Sequence, residues 1–183
     1  MATIPEALAL ALQHHQAGRL QAAEQIYRQV LAVEPNQPDA WHLLGVIARQ
    51  VGKHEMALEY MGRAITLSPR VASYHMNCGN AWKDRGKLDQ AIGCYLRAVA
   101  LKPDYADAHN NLGNALKDQG ELDKAVACYR RALELQPDYA EAHNNLGNVL
   151  WARGKLNGRS PAAAGQWNCS RTMPRHTTTW AMP

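Results

Sequence analysis

The chain lacks most of the features that announce a chemistry. Its four cysteines, Cys78, Cys94, Cys128 and Cys169, form no CxxC pair. That spacing excludes a zinc motif and a dense disulfide framework, and points to a reducing compartment and a cytoplasmic location. No run of apolar residues approaches the 18 that a membrane span needs. The opening MATIPEALALALQHH contains Glu6 and no preceding basic residue, so it does not read as a signal peptide. There is no GxSxG, no Walker glycine loop, no HExxH and no GxGxxG. No nucleophile–base arrangement stands out, so the residues predict no enzyme and no cofactor. A charge excess is also missing. The formal charge of +4 comes largely from Arg159, Arg171 and Arg175 in a tail without acids. Residues 1–156 carry 17 basic against 16 acidic side chains, which leaves no electrostatic footprint for nucleic acid.

What the chain has instead is a period. Gly45, Gly79, Gly113 and Gly147 are each 34 apart, and so are Gly52, Gly86, Gly120 and Gly154. The same step links Ala57, Ala91 and Ala125, then Ala64, Ala98 and Ala132, then Pro35, Pro69, Pro103 and Pro137. Agreement at so many positions marks a repeat array. Each period reads helix, turn, helix. A first helix is expected over 72–85, a break at Gly86 and Lys87, and a second helix over 88–101 with Pro103 just beyond it. Leu88, Ala91, Ile92, Tyr95, Ala98 and Val99 fall at helical spacing. The recurrent Gly and Ala are small packing positions that let paired helices approach, and Tyr95 fills the space against a neighbouring unit.

These residues resemble the tetratricopeptide repeat (TPR) signature, W-x2-L-G-x2-Y, then A-x3-F, then P. Trp41, Leu44, Gly45, Ala57, Met61 and Pro69 carry it in one unit, Gly79, Trp82, Ala91, Tyr95 and Pro103 in the next, and Leu112, Gly113, Ala125, Tyr129 and Pro137 in the third. A degenerate first unit has Leu10, Gly18, Ala23, Tyr27 and Pro35. The resemblance implies an all-α solenoid of antiparallel helix pairs in a right-handed superhelix. Its units cover 4–37, 38–71, 72–105 and 106–139, with a partial unit at 140–156. It also implies a concave groove that takes a peptide or protein.

The pattern stops after Leu156, and 157–183 reads as an irregular, disordered tail that is out of frame. Trp167-Asn168, Met173-Pro174 and Trp180-Ala181, shifted by one base, decode as Glu, Ala and Gly. In that frame Ser170 to Pro183 is compatible with PDYAEAHNNLGNA, the opening of a further unit. A base deleted near the Leu156 codon accounts for the change. A helix over 140–153 without a following unit leaves Leu150 and Trp151 poorly covered, which makes that end a candidate surface for self-association.

Histidine and cysteine also recur: His75, His109 and His143, and Cys94 and Cys128. Residues a full unit apart, about 10 Å, cannot share one zinc at about 2 Å. No metal site is expected. The histidines read as replacements for Trp at a packing position, and the cysteines as small packing residues. Asn77, Asn111 and Asn145 form one asparagine series and Asn80, Asn114 and Asn148 another, three residues further along the same helix face. Asn110 and Asn144 lie beside them, and Lys83 and Lys117 further on. In TPR arrays this part of the first helix lines the groove. Asparagine both donates and accepts, so the ladder suits either the backbone of an extended peptide or hydrogen bonds between units. The lysine-rich clamp that grips a chaperone's terminal carboxylate is not matched, since Met76, Asn110 and Asn144 stand at its lysine position. The units are also similar to those preceding the catalytic region of protein O-GlcNAc transferases of the bacterial SPINDLY type. That similarity implies a substrate-recruiting segment with Asn77, Asn111 and Asn145 as rungs, departing at Leu43, and with no catalytic domain in this chain.

Overall fold

The computed structural model describes residues 3–156; the expected tail at 157–183 lies outside them. The described residues form nine α-helices and no strand: α1 (Ile4–Gln16), α2 (Leu20–Val33), α3 (Pro38–Gln50), α4 (His54–Leu67), α5 (Ala72–Asp84), α6 (Leu88–Leu101), α7 (Ala106–Asp118), α8 (Leu122–Leu135) and α9 (Ala140–Leu156).

The turn inside each helix pair is built by one glycine. Gly18, Gly52, Gly86 and Gly120 have φ between 69° and 88°, where a Cβ is strained. At Gly86 the N–H donates to Lys83 O at 2.8 Å, and the next N–H, of Lys87, reaches back to Trp82 O at 3.0 Å. This double closure satisfies two orphan carbonyls at the helix end. It recurs as Gly52 to Arg49 with Lys53 to Ala48, and as Gly120 to Lys117 with Glu121 to Leu116. The second helix of each pair stops where Pro35, Pro69 or Pro103 follows, since proline supplies no N–H and cannot continue the ladder.

Packing follows the small residues. Ala23, Ala57, Ala91 and Ala125 are fully buried, as are Ala64, Ala98 and Ala132. A Cβ on Gly45, Gly79 or Gly113 would stand 2.7, 2.6 or 2.7 Å from Met61, Tyr95 or Tyr129. The chain contains no phenylalanine, so tyrosine and methionine take the large position against those glycines. Each helix packs on the next along the chain, and α3 also touches α5, α5 touches α7, and α7 touches α9. The second helices show no comparable contact with one another. The first helices are therefore drawn together, and the solenoid curves with them on its inner face.

The recurrent Trp or His locks that face to the loop before it. Trp41 Nε1 donates to Pro35 O at 2.8 Å. His75 Nε2 meets Pro69 O at 2.9 Å, His109 Nε2 meets Pro103 O at 3.0 Å, and His143 Nε2 meets Pro137 O at 2.8 Å. A carbonyl partner makes each Nε2 the donor. The histidines thus replace Trp as expected, keeping its N–H and discarding its bulk.

Candidate functional site

The candidate residues lie on three first helices: Asn77, Asn80 and Lys83 on α5; Asn110, Asn111, Asn114 and Lys117 on α7; Asn144, Asn145 and Asn148 on α9. The structure divides them sharply.

The Asn80 series faces its own second helix. Tyr95 Oη donates to Asn80 Oδ1 at 2.7 Å, and Tyr129 Oη donates to Asn114 Oδ1 at 2.8 Å. Asn114 is only 8% exposed and its Nδ2 also reaches Glu141 Oε1 at 3.4 Å. Asn110 is completely enclosed, with Nδ2 on Glu141 Oε1 at 2.9 Å. Asn110 and Asn114 are therefore corrected from groove residues to core polar groups; α9, the first helix of the next unit, supplies the acceptor for their amide nitrogens. Asn148 lies in the Asn80 register but is exposed, because α9 has no second helix among the described residues. Asn144, in the Asn110 register, is also exposed, since among the described residues no first helix of a further unit follows α9.

The Asn77 series faces backward along the array. Asn77 Nδ2 pairs with His42 Nε2 at 2.8 Å. Asn111 Nδ2 donates to Asn80 Oδ1 at 3.3 Å and approaches Met76 Sδ at 3.7 Å. Asn145 Nδ2 donates to Asn110 Oδ1 at 3.1 Å. Each of these amides spends its donor on the preceding unit, and all three side chains are half-buried. Among the described contacts their Oδ1 atoms accept nothing. Lys83 and Lys117 lie two turns further along and are half-buried; Lys117 Nζ is 3.6 Å from Asp118 Oδ1.

Several members of this network escaped sequence reasoning. His42 is nearly buried, stacks on Tyr74 with ring centroids 4.5 Å apart, and offers Nε2 as an acceptor to Asn77. Burial pushes its pKa down to about 4, against an opposing pull from Asp39. Glu141 and Met76 serve as acceptors that no spacing rule flagged. The Tyr–Asn pairs did leave a signal. Asn80 and Asn114 occur where the second helix supplies Tyr, and Val46 where it supplies Met61.

Among the described residues no group of three or more His, Cys, Asp or Glu is placed to hold a metal ion. No helix among them is long and apolar enough to cross a membrane.

An all-helical solenoid of glycine-turned pairs with a polar inner ladder defines a repeat scaffold. Tetratricopeptide repeat models match residues 5–47 and 38–71, and a TPR repeat model matches 79–120 and 113–154. The chain belongs to the tetratricopeptide repeat family. Among solved structures it is similar to MamA protein at 24% identity and a TM-score of 0.73, covering 85% of each chain. It is similar to the first TPR of Spaghetti (RPAP3) bound to an HSP90 peptide at 25% identity and a TM-score of 0.63, covering 64% of this chain and 94% of that one. A Thermobaculum terrenum O-GlcNAc transferase mutant matches at 31% identity and a TM-score of 0.65, over 72% of this chain but only 27% of the transferase. No match is found among curated protein sequences.

Proposed function

We propose that the chain is a non-catalytic, cytoplasmic interaction module that holds an extended stretch of a protein partner along its first-helix face. One observation supports the reading: Asn77, Asn111 and Asn145 turn their donors into the array, and their Oδ1 atoms accept nothing among the described contacts. Carbonyl acceptors in a row suit the backbone N–H groups of a peptide and leave its side chains unspecified. Neighbouring units stand about 10 Å apart and an extended chain advances about 3.3 Å per residue. Each rung then meets every third ligand residue. The HSP90-peptide complex of the RPAP3 neighbour supports a peptide as ligand.

The test is replacement of Asn111 and Asn145 by Ala in the full chain, read on a peptide array and by circular dichroism. Binding should fall about tenfold or more, as expected for two lost hydrogen bonds of about 1 kcal/mol each, with helicity retained. Loss of helicity in step with binding would show that the ladder only joins units.

The transferase match favours a second reading, in which the array is the substrate-recruiting front of a protein O-glycosyltransferase. DNA sequence across the Leu156 codon tests it. A frame that resumes the repeat and continues into a nucleotide-sugar domain supports it; an uninterrupted frame through Pro183 removes it.

A further inference from the structure

The third helix pair carries two cysteines at one level. Cys78 on α5 immediately precedes Gly79, and Cys94 on α6 immediately precedes Tyr95. Those followers mark a close approach, since a Cβ on Gly79 would stand 2.6 Å from the Tyr95 ring. Cys78 is buried among Ala48, Ala57, Met61 and Ala81, and the partly exposed Cys94 packs against that cluster. Both thiols thus lie at one packed cluster between α5 and α6, and their mutual influence raises the pKa of Cys78 and lowers that of Cys94.

The repeat supplies its own control. Cys128 occupies the Cys94 register on α8, but Leu112 stands at the Cys78 register, and burial pushes the Cys128 thiol up to about 11. One pair thus has a partner thiol, and its copy in the next unit lacks one.

We propose that Cys78 and Cys94 are a redox-active dithiol that closes to a disulfide within the third repeat on reaction with a low-molecular-weight disulfide such as glutathione disulfide. Cys94 attacks first, because it is the accessible sulfur of the two while Cys78 is buried. Its Sγ bonds to one glutathione sulfur, the glutathione S–S bond breaks, and one glutathione leaves as thiolate and takes up the Cys94 proton. Cys78 then attacks the Cys94 sulfur of the mixed disulfide, and its proton passes to the departing second glutathione. Two protein thiols are oxidised and one glutathione disulfide is reduced to two glutathiones. Bridging draws the sulfurs from non-bonded contact to a bond of about 2 Å, and so tightens α5 on α6 beside the Tyr95–Asn80 hydrogen bond.

The full chain is incubated with glutathione disulfide, quenched with N-ethylmaleimide, and read by intact mass and tryptic mapping. The expected product has lost two hydrogens, shows one Cys78–Cys94 linked peptide, and keeps Cys128 alkylatable. Cys94 should react with Ellman's reagent about tenfold or more faster than Cys128, as a lowered thiol pKa requires. The Cys78→Ser variant should stop at a mixed disulfide on Cys94. The Leu112→Cys variant should gain a second link, to Cys128. A chain that stays helical yet forms no Cys78–Cys94 link, or links Cys94 to Cys128 or Cys169 instead, overturns the proposal.

Discussion

Tyr27, Tyr95 and Tyr129 occupy one register and are all fully buried, yet their hydroxyls have different fates. Tyr95 and Tyr129 donate to asparagine, whereas Tyr27 Oη has no partner because Leu12 stands where Asn80 and Asn114 do. Burial without a partner pushes the Tyr27 pKa up to about 12. An orphaned buried hydroxyl is a penalty of about 1–3 kcal/mol, while a made hydrogen bond contributes about 1. Tyr27→Phe should therefore leave stability unchanged or raise it. Tyr129→Phe should lower it by about 1 kcal/mol or more, since it strands Asn114 Oδ1. Urea unfolding of the two variants decides the matter, and equal losses would contradict it. His42 makes the second residue-scale case. Its folded pKa of about 4 lies below the ordinary histidine value of 6.5, so the unfolded chain binds the proton more readily. Stability is full above pH 6.5 and falls as pH drops toward 4, by roughly 3 kcal/mol at the limit. Protonated Nε2 also ceases to accept from Asn77. His42→Asn, which installs the residue of the Asn110 register, should flatten the pH dependence of urea unfolding across that window. An unchanged slope would assign the acid sensitivity elsewhere.

At the scale of helices, the same residue type does opposite things in two places. Gly113 stands where a Cβ would meet the Tyr129 ring at 2.7 Å, whereas Gly147 has nothing within 4 Å. Gly113→Ala should destabilise by about 1–3 kcal/mol, through overpacking. Gly147→Ala should stabilise α9 by roughly 0.5–1 kcal/mol, because glycine is a poor helix former. Thermal melts of the two variants should move in opposite directions. Between helices a polar bridge also recurs: Glu55 with Arg85 at 3.1 Å, Asp89 with Gln119 at 2.6 Å, and Asp123 with Arg153 at 3.0 Å. These exposed pairs contribute little energy, yet they hold the start of one second helix to the end of the next first helix. The helices themselves were legible in the sequence, because glycine, alanine and proline sit at backbone-dictated positions. The expected first helix over 72–85 became Ala72–Asp84, with Arg85 as its cap. The asparagines were less legible. Face periodicity grouped Asn77 with Asn80, but only the stacking of units decides which amide points outward. Asn110 looked like a neighbour of the ladder and is a core group, because Glu141 on another helix encloses it.

Across the whole molecule the described array ends on an unpaired first helix. Leu150 is 40% exposed and Trp151 56%, in registers that following helices cover elsewhere: their counterparts Leu116 and Lys117 are 8% exposed and half-buried. Stacked repeats need a polar terminus, so this end is expected to associate with a second copy. Leu150→Lys should shift sedimentation toward the monomer at micromolar concentrations, and an indifferent profile would remove that surface from consideration.

The direction of the Asn77, Asn111 and Asn145 bonds has a last consequence. Every rung leans on the unit before it, and Asn110 becomes a closed core group only when Glu141 arrives from the unit after it. Each unit is thus finished by its successor. A chain emerging N-terminus first can settle unit by unit, leaving at any moment one incompletely satisfied edge that the next 34 residues are shaped to close.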